Sequence, residues 1–215
     1  MATTTQNTTQ SSGIGTGFVA AALAAFLCVY ASLYAARAWE FAHAEPRYNA
    51  VARGKIATAV ELDALMQALR ASPRRADLNR AAFVQMLAAQ REGLKSLRAT
   101  TRLAAARRDL RLGLTASPAD VYAWTRLAVT ETRLDNAKAA AAALSMALQI
   151  APTERKLTGL QFDLAVALWP NLDGAGRAAM ERRLVFAAKW PELKSVLAGN
   201  SAATLRARLA ADKDN

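Results

Sequence analysis

Residues Ala119–Pro152 read ADVYAWTRLAVTETRLDNAKAAAAALSMALQIAP, and the fold follows from how this stretch packs. It predicts a helical hairpin. Ala128 on the first helix and Ala140 and Ala147 on the second are small enough to let the two backbones approach. Trp124 and Leu144 carry the bulk that fills the gap between them. Pro152 closes the unit, because proline offers no N–H donor and restricts the residue before it.

Working outward, two earlier stretches end in the same way. Gln67–Pro73 reads QALRASP and Leu112–Pro118 reads LGLTASP, so Pro73, Pro118 and Pro152 lie 45 and then 34 residues apart. A period of about 34 residues is that of a two-helix repeat. On these residues the 119–152 segment resembles a tetratricopeptide repeat. The resemblance puts Trp124 on the first aromatic position, Leu127 and Ala128 on the leucine and adjacent small sites, and Ala140 and Ala147 on the two alanines. Leu144 takes the large apolar site and Pro152 the closing proline. Glu131 departs from the pattern, standing where an aromatic is usual. The preceding unit matches only in its second half, through Ala106, Leu110, Gly113, Leu114 and Pro118. One good repeat beside degraded neighbours fits a short solenoid, since each repeat needs a neighbour to bury its apolar face. Beyond Pro152, Leu157, Leu160, Leu164 and Leu168 recur at helical spacing. Breaks follow at Trp169-Pro170 and Trp190-Pro191, with Ser201 an expected N-cap for the last helix.

Upstream, Gly13–Ala36 contains no charge, and the first charged side chain in the chain is Arg37. As a helix this run is about 36 Å long, enough to cross a hydrocarbon core of about 30 Å. A cleavable signal peptide fits less well, because residues 2–12 lack the basic residues of an n-region. The expected organisation is therefore all-α. A disordered polar tail occupies 1–12, a transmembrane helix 13–36 and a helical-repeat domain 38–215. Trp39, Phe41 and Tyr48 follow the span, with Arg37 and Arg47 between them, and suit a membrane interface; alternatively Trp39 and Phe41 pack into the first domain helix.

The net charge of +11 is concentrated. From Arg70 to Arg111 there are 11 basic and 3 acidic residues. Arg91, Lys95, Arg98 and Arg102 are spaced 4, 3 and 4 apart, which places them on one face of a continuous helix. Arg107, Arg108 and Arg111 are expected on the next helix. Together these residues read as a docking stripe for an anionic partner, either lipid or polysaccharide, or as a solvated face. Nucleic acid is not an expected partner, since Phe83 is the only aromatic in the basic region.

Catalysis is not expected. One histidine and one cysteine cannot assemble a His/Cys metal site, and no glycine-rich phosphate loop occurs. The reading is of a non-enzymatic, cofactor-free scaffold that holds a protein partner in its groove, with electrostatic binding to anionic lipid or polymer as the alternative. The membrane-anchored layout, the WPNLD break at 169–173 and the Arg-rich helix also resemble, loosely, bacterial tetratricopeptide-like proteins of envelope-polysaccharide machinery. That resemblance implies a single-pass protein of the inner membrane with its domain in the periplasm. The four basic residues within twenty of the span's end instead favour the cytoplasm, and the side stays open.

Overall fold

A computed structural model describes residues 13–72 and 74–213. The polar tail 1–12, Pro73 and the Phe41 side chain lie outside the described residues. Among those described there is no strand. Ten α-helices follow one another: α1 Gly13–Ala52, α2 Ala59–Arg70, α3 Asp77–Arg91, α4 Leu97–Ala116, α5 Val121–Arg133, α6 Ala137–Ile150, α7 Thr158–Leu168, α8 Gly174–Ala187, α9 Lys194–Leu197 and α10 Asn200–Lys213.

Local chemistry sets most of these boundaries. Helix α2 starts in a reciprocal capping box, in which Thr58 Oγ1 accepts from the Glu61 amide and Glu61 accepts from the Thr58 amide. Donation to that carboxylate by the Thr58 amide and by the Thr58 hydroxyl holds the Glu61 carboxyl below its ordinary pKa. Ser96, Asp120, Asn136 and Asp173 cap α4, α5, α6 and α8 through their side chains. Helices α4 and α6 stop two residues before Pro118 and Pro152. Ser201 does not cap the last helix. Helix α10 begins one residue earlier, and Ser201 Oγ donates to Asp163 at 2.5 Å, tying α10 to α7.

Helices α3 and α4 pack together, as do α5 and α6, and contacts also run between α3 and α5, α5 and α7, and α6 and α8. This second-neighbour contact layers the molecule and gives it one main core, which runs from α3 to α10. In the 119–152 hairpin, Leu127, Ala128, Ala140, Leu144 and Ala147 are all buried. A smaller core joins the end of α1 to α2 and to the other face of α3, through Ala44, Tyr48, Leu62, Leu65 and Leu69.

Helix α1 does not stop at Ala36, where the charge-free run ends, but continues as one helix of 40 residues. Within it, Val19–Ala36 has a mean hydropathy of 2.0, no buried residue, and a length and composition sufficient to cross a membrane. The C-terminal end is part of the folded domain. Tyr48 is buried edge-on against Phe83, with ring centroids 6.0 Å apart, and Arg126 of α5 donates to its hydroxyl at 3.4 Å. Of the post-span aromatics, Tyr48 thus packs into the domain, whereas Trp39 is largely exposed.

Candidate functional site

The hairpin residues and part of the basic stripe meet in one place. Helices α4, α5 and α6 enclose an open groove of about 490 Å³. Trp124 and Leu127 of α5, Leu114 of α4, and Ala143 and Met146 of α6 give it an apolar lining. Trp124 is half-buried rather than enclosed between the two helices of its hairpin. Its indole Nε1 donates to the Pro118 carbonyl at 2.8 Å, which fixes the ring against the α4–α5 turn.

Glu131 forms one end of the groove. It is fully buried, and Arg111 Nη2 lies 2.7 Å and Arg107 Nη1 3.7 Å from its carboxylate. Asn136 Nδ2 donates to the same group at 3.2 Å. A carboxylate at position 131 serves the α4 arginines and lacks the ring that would fill space beside Trp124. A buried carboxylate needs such partners, because an unpaired one is costly.

Because Trp124 is only half-buried, Trp124→Ala is expected to cost about 2 kcal/mol, less than the 3–5 kcal/mol of a fully enclosed aromatic. Denaturant unfolding checks this. A loss near zero would show that the ring carries no packing load.

The basic residues do not form the expected stripe. Helix α3 ends at Arg91, and Gly93 turns the chain with φ +82° before α4 begins at Leu97. Such a φ suits glycine, which lacks the Cβ that strains other residues there. Arg91 therefore stands at the end of one helix, Lys95 in the loop, and Arg98 and Arg102 on the next helix, together with Arg107, Arg108 and Arg111 rather than before them. Several of these charges are also paired within the protein. Arg102 meets Asp63 and Glu92, each at 2.7 Å, and these bonds raise its pKa. Arg107 and Arg111 share Glu131. Lys95, Arg98 and Arg108 have no ion-pair partner among the described residues.

Sequence reasoning missed the interior polar network. Asp109 is buried, with Arg70 Nη2 and Gln85 Nε2 each 2.7 Å from its Oδ2, so one carboxylate joins α2, α3 and α4. Arg183 is also fully buried, and burial pushes its guanidinium down to about 10, still charged at neutral pH. The unusual presence of charge among apolar helical positions was the available signal, and burial of that charge needed the fold. Among the described residues, no three His, Cys, Asp or Glu side chains are grouped to hold a metal ion. Comparison with protein-family models, with curated proteins and with solved structures found no match to this chain.

Proposed function

We propose that this protein is a membrane-tethered scaffold of tetratricopeptide-like helical hairpins, which holds a protein partner. The observation that carries the reading is the two-part character of α1. Its first part is apolar and unburied, and its last part is built into the domain core. The helix runs from the span into the domain with Pro46 inside it, and the buried Ala44 and Tyr48 on either side of that proline tie the domain to the end of the span, as a scaffold requires. The α4–α5–α6 groove supplies apolar surface for a partner side chain or helix, with Arg111 at its rim. On the resemblance of layout alone, the assembly served belongs to bacterial envelope-polysaccharide machinery. The electrostatic alternative is less favoured, since the basic residues do not share one helix face and several are paired internally.

The full chain is expected to sediment with membranes and resist extraction by high salt or alkali, and removal of residues 13–36 should yield a soluble helical domain. Affinity purification from detergent-solubilised membranes should recover a partner that Met146→Arg, an exposed change in the groove wall, fails to retain. Release of the parent chain by salt alone, or full retention of the partner by the variant, would overturn the reading.

A further inference from the structure

The end of the domain where α1 gives way to α2 carries a second unusual surface. Helix α1 runs 16 residues beyond Ala36, about 24 Å at 1.5 Å per residue. Helix α3 follows α1 in the same direction. Arg80 lies 3.5 Å from Glu45, Phe83 meets Tyr48, and Arg91 donates to the carbonyl of Ala57. The α1–α2 and α3–α4 loops therefore lie side by side at the distal tip. Arg102 fastens them further by bridging Asp63 of α2 and Glu92 of the α3–α4 loop.

Two properties coincide at this tip. Four large apolar side chains face solvent: Ile56 is 93%, Val60 78%, Leu97 83% and Leu94 43% exposed. Around them stand Arg53, Lys55, Arg91, Lys95 and Arg98. None of these five has a carboxylate partner among the described residues, and the nearby acids are engaged elsewhere, Glu61 in the α2 cap and Asp63 and Glu92 on Arg102. Clustered exposed apolar residues mark interaction sites more often than chance exposure, and the surrounding charge selects an anionic occupant. The protein's own bilayer is an anionic apolar surface too, but the tip stands at the far end of α1 from it, 16 residues beyond Ala36.

We propose that the distal tip is a docking surface for an acidic protein segment with apolar anchors, held away from the bilayer. This rests on the reading of α1 as a membrane span and adds to the groove a second surface with defined partner chemistry.

The test uses the full chain in zwitterionic nanodiscs. The probe is a labelled helical peptide of about 18 residues, with leucine on one face and glutamate on the other. A twin peptide with lysine for glutamate and vesicles of phosphatidylglycerol complete the set. The glutamate peptide should bind, the lysine twin should not, and raised salt should weaken the complex. Lys95→Glu with Arg98→Glu, and separately Ile56→Ser with Leu97→Ser, should each weaken binding roughly tenfold or more, with helical content and melting temperature unchanged. Equal binding of both peptides, or binding indifferent to both variant pairs, overturns the proposal. So does capture of the vesicles with no capture of the peptide, which would make the tip a contact for a second membrane. Failure of the chain to enter nanodiscs would instead overturn the span reading, and with it the orientation of the tip.

Discussion

Replacing Arg183 with alanine is expected to lower the stability of the domain by about 4 kcal/mol, through the loss of a large buried side chain together with its charge-assisted hydrogen bonds. Arg183 Nη1 donates to the Ala151 carbonyl at 3.0 Å, and Nη2 donates to the Glu154 carbonyl and to Thr158 Oγ1, the latter at 3.1 Å. These acceptors lie at the end of α6 and the start of α7, where the chain turns. Carbonyls past the last turn of α6 lack helical partners, and a cation there also meets the negative end of the helix dipole. The alanine variant leaves the half-buried Ala151 carbonyl without the guanidinium, leaves Glu154 and Thr158 only the bond between them, and opens a cavity in the α6–α8 contact. Arg183→Lys keeps the charge but not the planar fork, so it should recover only part of the loss. Denaturant unfolding in mild detergent measures both. A loss below about 1 kcal/mol for the alanine variant, the level of a single ordinary hydrogen bond, would show that water replaces the guanidinium without penalty.

Gly113→Ala is expected to destabilise by about 2 kcal/mol even though alanine is the better helix former by about 1 kcal/mol. A Cβ at Gly113 would fall 1.9 Å from Asn79 Oδ1 and 3.1 Å from the Asn79 backbone nitrogen. Asn79 cannot swing away freely. It is buried, and its Nδ2 donates to Asp120 Oδ2 at 3.0 Å, while the other oxygen of Asp120 caps α5. Either α3 and α4 move apart or the cap of α5 loosens. If close approach is the cause, shortening the neighbour should relieve it, and Asn79→Ala with Gly113→Ala should cost less than the two single changes added together. Strict additivity, or stabilisation by Gly113→Ala alone, would show that the helices are not held in contact at this point.

Gly113 was legible beforehand as a small residue just before the Pro118 stop. So were Leu127, Ala128, Ala140, Leu144 and Ala147, because side-chain size at helical spacing shows in a linear string. The basic stripe was not legible in the same way. The spacing of Arg91, Lys95, Arg98 and Arg102 implied a shared face only if the helix continued. Gly93 and Ser96 are local signs of a break and a new cap, which the charge spacing by itself does not show. No local signal could have revealed Arg102 bridging Asp63, which lies 39 residues away, or α1 packing against α5 through Tyr48 and Arg126, separated by 78.

The sequence by itself determined the all-helical class, the hairpin at 119–152, its proline stops and a charge-free run long enough to span a bilayer. These rest on interactions within a few residues of each other: backbone propensity, capping and the 3.6-residue period. The tertiary structure decided which charges are neutralised inside, that α1 runs unbroken from the apolar run into the domain core, and that the groove beside Trp124 stays open. Each of these depends on which distant side chains meet, and an ion pair or a cavity exists only once the separate helices have been brought together.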